Sequence, residues 1–168
     1  MTLSDDIDLL SRVSLFEGFP LEQLRMLAFG SKRQFFRGGE ELYHQGDPSD
    51  GGYVVVSGQI DMVMQKKSRE MILASYLRSS LIGEMALITR NSRVATAIAR
   101  NNVEVLHIPR ELFNRMLSEY PELAVDLHRK ISRSVGFMLE DMGKVQKRME
   151  TIPDLAATGF DNEDDPIS

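Results

Sequence analysis

Gly83, Glu84, Met85, Ala86 and Leu87 are followed, nine positions after the glutamate, by Arg93. Residues of these types at this spacing can clamp a phosphate beside a hydroxyl. The amides at a helix start point towards an anion, and the unpaired first turn carries partial positive charge. Glycine at position 83 lets the backbone approach a ligand with no Cβ in the way. The Arg93 guanidinium adds a planar, permanently charged fork matched to two phosphate oxygens. An ionised Glu84 only accepts hydrogen bonds, so it suits a hydroxyl and not the phosphate. The alternative is an ordinary surface ion pair between Glu84 and Arg93, worth roughly 0–1 kcal/mol. The Gly-Glu start of a helical turn favours the ligand.

Such a clamp needs a frame, and the chain's texture predicts one. Ser4 to about Ser14 reads as a helix with Ile7, Leu10 and Val13 on one face, and a second helix follows Pro20, where Leu21, Leu24 and Leu27 recur. Residues 31–109 break into short β-rich runs: Gln34–Phe36, Glu41–Gln45, Tyr53–Ser57, Gln59–Met64, Met71–Leu77, Ala95–Ala99 and Val103–Ile108. Turn residues separate them, as at Gly46-Asp47-Pro48, Ser57-Gly58, Lys67-Ser68 and Asn101-Asn102. Many short, closely spaced strands predict a mainly β fold, a β-roll of jelly-roll type with flanking helices. One helical turn, Glu84–Leu87, interrupts the β run, and a phosphate cradle would explain it.

After Pro109 the pattern is helical again. Arg110–Ser118 predicts one helix and Pro121 to about Met149 another. On the latter, Leu127, Ile131, Val135, Met138, Met142, Val145 and Met149 form a narrow seam of coiled-coil type. The seam can pack back on its own domain; its length instead predicts a helix pair between two subunits, a homodimer. The expected organisation is therefore N-terminal helices over 1–30, the roll over 31–109, C-terminal helices over 110–150, and an acidic, disordered tail over 151–168.

Composition narrows the function. The chain has 168 residues, 42% of them hydrophobic and 27% charged, as expected for a globular protein. It has no cysteine, which excludes disulfides, thiolate metal sites and thiol nucleophiles. The start is acidic where a signal peptide would be basic, and no long apolar run follows; a cytoplasmic protein is expected. The net charge of −5 resides in the tail, whose acids are Asp154, Asp161, Glu163, Asp164 and Asp165, so residues 1–150 sum to zero. A neutral body has no bulk attraction for nucleic acid or for a membrane surface.

These residues resemble a known family, the cyclic-nucleotide-binding domains. Gly83-Glu84-Met85-Ala86-Leu87 with Arg93-Val94-Ala95-Thr96 is similar to the phosphate-binding cassette of protein kinase A regulatory subunits. His44-Gln45-Gly46-Asp47, Tyr53-Val54-Val55-Val56-Ser57-Gly58 and Glu70-Met71-Ile72-Leu73 are similar to runs in the catabolite activator sensor domain. The likeness extends from about Pro20 to Met149. It implies a β-roll with the cassette helix inside. It implies that Arg93 pairs with the cyclic phosphate, that Glu84 accepts from the ribose 2′-hydroxyl, and that amides near Gly83, Met85 and Ala86 complete the cradle. By the same resemblance Met62 and Leu73 form apolar walls around ribose and base, and Ser132 stands where the activator has a base-contacting serine. Val94 departs from the Ser, Thr or Ala of many relatives. It offers no hydroxyl to guanine, which tilts the expected ligand to cAMP over cGMP.

Other chemistry is weaker. The three histidines, His44, His107 and His128, lie far apart in different elements and show no metal-ligand spacing. A metal-dependent cupin-like enzyme would need at least three ligands converging inside the roll. No Gly-x-Ser-x-Gly elbow occurs, so no enzyme, catalytic residue, metal or cofactor is expected. Residues 151–168 are too few and too acidic to form a DNA-binding effector. The expectation is a stand-alone cyclic-nucleotide sensor that signals to an effector protein by moving its C-terminal helix. The runner-up is a ligand-free interaction scaffold, recognisable by an occluded pocket or by Arg93 locked to a neighbouring carboxylate.

Overall fold

The computed structural model describes residues 2–133. The chain divides into two units, residues 1–131 and 132–168. The first holds the elements described below except the last two residues of the final helix; of the second, Ser132 and Arg133 are described, both helical and exposed.

Among the described residues, eight strands form two four-stranded antiparallel sheets: β1 (Lys32–Phe36), β8 (Val103–Pro109), β3 (Gly51–Ser57) and β6 (Leu81–Ile82) in one, and β2 (Glu41–Tyr43), β7 (Thr96–Ala99), β4 (Ile60–Lys66) and β5 (Arg69–Tyr76) in the other. The mainly β fold expected from the strand spacing is observed. The turns follow local chemistry. Lys67 and Ser68 both take positive φ, 52° and 67°, the two-residue hairpin geometry that suits the strand twist between β4 and β5. Gly58 joins β3 to β4 with φ +90°, and a Cβ there would come within 2.5 Å of the Asn102 carbonyl. Only glycine fits that crossing.

β3 and β4 are buried at successive positions, so alternation does not reveal which face is inside. Packing does. Val54, Val56, Leu106 and Ile108 join the core with Leu9, Leu10, Phe16, Leu27 and Phe113 from the helices. The opposite face of β3 and β8 carries Tyr53 and His107, a cross-strand pair whose tilted rings lie 4.9 Å apart, centre to centre. One face of this sheet therefore holds the helices, and the other carries the polar groups of the site. Each fully buried Leu or Phe in the helical core contributes about 1.5–3 kcal/mol.

The helices are α1 (Leu3–Ser11), α2 (Leu21–Gly30), α3 (Arg110–Glu119) and α4, helical over 121–133. α1 starts one residue before the expected Ser4, because Thr2 and Asp5 form a reciprocal capping box. It also ends earlier. The backbone turns extended at Val13 and re-forms a 3-10 turn over Ser14–Phe16, which puts Phe16 against Phe19 and Phe113. Arg33 of β1 ties α1 to the roll through Asp6 and Glu104. Of the apolar seam, Leu127 is 1% exposed and belongs to the domain's own core, and Ile131 is buried. At Leu127, therefore, the seam packs back on its own chain. Its later positions, Val135, Met138, Met142, Val145 and Met149, and the acidic tail lie outside the described residues.

Candidate functional site

The cassette grows out of the short strand β6, whose Leu81 and Ile82 pair with Val54 and Tyr53. Gly83 then takes the left-handed conformation, φ 77° and ψ 38°, and starts a 3-10 turn over Glu84–Leu87. Ala86 and Leu87 are buried and anchor the turn from below. Gly83 is favoured by its backbone conformation and lies against Arg93. Its φ is one that side chains avoid, and a Cβ would lie 2.7 Å from Arg93 Nη1. The glycine and the arginine expected to share an anion are thus in contact. The Ala86 amide donates to the Gly83 carbonyl at 3.0 Å, so here one of the cradle amides bonds within its own turn.

Arg93 is 6% exposed, which rules out the surface ion pair considered from sequence. Its backbone is stitched to the loop before β3: the Arg93 amide donates to Asp47 O, the Gly46 amide to Arg93 O, and the Ser49 amide to Asn91 O, all at 2.8–2.9 Å. Its side chain runs inward. Nη2 donates to the Gly51 carbonyl at 2.9 Å and reaches Asp50 Oδ1 at 3.4 Å. The guanidinium carbon lies 4.1 Å over the centre of the Tyr43 ring and 5.8 Å over that of Tyr53. Nε is buried with no hydrogen-bond partner. A buried donor without an acceptor costs about 1–3 kcal/mol.

The tyrosines near Arg93 and Glu84 stay neutral. Burial pushes the Tyr43 phenol well above its ordinary range, and the Arg93 charge only partly opposes this. Burial first and Asp50 second push the Tyr53 phenol up; burial and then Glu84 do the same for Tyr76. The Tyr43 hydroxyl donates to Met62 Sδ at 3.7 Å, so Met62 lies beside the arginine's ring platform. Asp50 Oδ1 is shared, since His107 Nε2 lies 3.1 Å from it.

Glu84 takes a different position. It is half-buried and lines a cavity of about 270 Å³ with Val13, Ser14, Tyr76, Ser79 and Ser80, a lining that includes none of Met62, Leu73, Arg93 and Val94. Met85 is half-buried and Val94 is 45% exposed. Leu73 is the extra residue of a β-bulge, between Ala74, which pairs with Met62, and Ile72, which pairs with Val63. Ser132 is exposed and belongs to the second unit. The structure thus joins Gly83 to Arg93, sets Arg93 and Met62 against Tyr43, and places Glu84 and Tyr76 in one cavity lining. Among the described residues no group of three or more His, Asp or Glu could hold a metal, and no helix is long and apolar enough to cross a membrane.

Residues 33–120 match the family described as the cyclic nucleotide-binding domain. The chain belongs to that family. It is 30% identical, over 80% of its length, to the lysophospholipase NTE1 of Chaetomium globosum, and it spans only 8% of that protein. A cyclic nucleotide-binding-like protein from Brucella abortus is 38% identical and aligns with a TM-score of 0.62, covering 68% of this chain and 98% of that one. The regulatory domain of Toxoplasma gondii protein kinase A, solved with cAMP, is 22% identical with a TM-score of 0.67, covering 78% of this chain and 50% of that one. The last likeness speaks to the fold.

In this cyclic nucleotide-binding domain, sequence reasoning missed Tyr43, Asp50, Tyr53, His107 and Arg110. A signal existed for one. Arg110 is a cation in the first turn of a helix, where the macrodipole disfavours it.

Proposed function

We propose that the domain is a receptor for a cyclic nucleotide, cAMP in preference to cGMP, and that it is not itself an enzyme. The observation that carries this reading is the state of Arg93. A buried guanidinium beside Gly83 is held by one carbonyl, a ring face and one long carboxylate contact, and its Nε has no partner. An anion entering beside Gly83 would satisfy it with charge-assisted bonds, about twice as strong as neutral ones.

Asp50 is the carboxylate that the scaffold alternative would need as a lock. Its side chain is 70% exposed and its contact with Arg93 is 3.4 Å, so the lock is a weak one. In the receptor reading Arg93 takes the cyclic phosphate together with amides of Gly83, Met85 and Ala86. Glu84 turns from the Tyr76 cavity to accept from the ribose 2′-hydroxyl. Met62 and Leu73 wall the ribose and base. Val94, without a hydroxyl, gives guanine nothing to bond. The regulatory domain from Toxoplasma gondii was solved with cAMP, which supports this ligand class. We place the domain in the cytoplasm, read its output as movement of the C-terminal helix against an effector protein, and propose that the domain forms a homodimer through the helix after Pro121. Such signalling requires the ligand to prefer one helix arrangement.

A thermal-shift panel tests the reading, because a ligand that binds the folded state must raise its stability. Cyclic AMP at about 100 times its Kd should add about 2.7 kcal/mol. Cyclic GMP should add less and linear AMP least. No shift with any cyclic nucleotide would favour the scaffold.

A further inference from the structure

We propose that Arg110 is the positioning residue of this site, the side chain that holds the Arg93 loop and the cassette in one geometry; the inference rests on the receptor reading above for its ligand. Arg110 is the first residue of α3 and is 7% exposed. Its Nε donates to the carbonyl of Ala86, in the cassette turn, at 2.8 Å. Its Nη2 donates to both the carbonyl and the hydroxyl of Ser49, each at 2.8 Å. Its own amide donates to the Asp50 carbonyl at 2.9 Å.

Ser49 carries the connection further. Its hydroxyl donates to Asn91 Oδ1 at 2.6 Å and its amide to the Asn91 carbonyl at 2.9 Å, two residues before Arg93. Asp50 and Gly51, next in the chain, are the residues that accept from Arg93 Nη2. One guanidinium therefore spans the cassette turn and the loop that fixes the phosphate-facing arginine. Neither segment can shift without breaking a bond to Arg110 or carrying the start of α3 with it.

Two physical points distinguish this from generic packing. A cation at a helix N-terminus opposes the dipole, so α3 gains nothing from it locally. The oxygens that its side chain meets are neutral, so these bonds leave the buried charge uncancelled, and its field favours an anion near Ala86. A lysine would keep the charge and lose the fork, because one ammonium cannot reproduce two fixed donor directions.

Hydrogen exchange on the Arg110→Lys domain tests the proposal without any ligand. The amides of Ile88 and Thr89 in the cassette, and of Ser49 and Arg93 in the loop, should exchange about tenfold faster or more, while those of β4 stay within about twofold. Unchanged rates at the four amides, or equal acceleration in β4, would overturn it. Should Arg110→Lys fail to fold, Ser49→Ala removes one acceptor of Arg110 together with the hydroxyl's bonds to Asn91; the cassette amides of Ile88 and Thr89, which Ser49 reaches through Arg110, should then exchange about threefold faster, and no change at those two amides overturns the proposal equally. Calorimetry with cyclic AMP adds the readout that mere structural support would not move. Arg110→Lys should weaken binding about tenfold in the native sequence and less than twofold in an Arg93→Lys background, because it acts through Arg93. Additive losses contradict that. Absence of cyclic AMP binding by the unmodified domain would sink the receptor reading, and the exchange rates would still decide the role of Arg110.

Discussion

The guanidinium of Arg93 lies 4.1 Å over the ring of Tyr43, inside a roll whose strands bring the two residues together from opposite ends of the β region. Tyr43 belongs to β2 and pairs with Ala97 of β7, four residues beyond Arg93. The ring face restrains a cation that has few hydrogen bonds, and this fixes the direction in which its free edge can meet an anion.

Removing the ring should therefore cost affinity. A cation–π contact contributes about 0.5–2 kcal/mol, which corresponds to roughly twofold to thirtyfold in Kd. Tyr43→Leu should weaken cyclic AMP binding by that factor. Tyr43→Phe, which loses only the hydroxyl contact to Met62, should stay within about twofold of the unmodified domain. Equal affinities for the two variants in calorimetry would remove the ring from the site.

Much of this arrangement was legible in the sequence, and the rest was not for definable reasons. Gly83, Glu84 and Arg93 lie within one local stretch, so residue types and spacing alone reveal their chemistry. Gly83 takes a φ that favours glycine and lies against the end of the Arg93 side chain. Tyr43, Asp50 and His107 stand on separate elements and meet only when the sheets close, which no local pattern reports. β3 is buried at six successive positions, so period-two reading could not place Tyr53 on the Arg93 side. β6 has two residues, too few for any periodic signal, and exists only through its pairing with β3. The resemblance makes Leu73 a wall of the pocket, whereas the bulge that positions it depends on the partner strand.

A pH dependence of stability follows from Asp61. Burial alone would raise its carboxyl, but hydrogen bonds from Ser75, Arg100 and Gln59 outweigh burial and hold it below the ordinary 3.8. A lowered folded value stabilises the fold above the unfolded value, and that contribution is lost as pH falls through the folded one. Thermal melts between about pH 5 and pH 2 should show the unmodified domain losing stability more steeply than Asp61→Asn. Parallel curves for the two proteins would show that the Asp61 network is not the source.

The central claim is that Arg93 takes the cyclic phosphate, and isothermal calorimetry with cyclic AMP tests it most directly. The unmodified domain should bind with micromolar or tighter affinity, about −8 kcal/mol or better. Arg93→Ala should lose at least about a hundredfold, since charge-assisted bonds and the partner charge go together. Binding that survives undiminished in Arg93→Ala, or no binding by the unmodified domain, would contradict it.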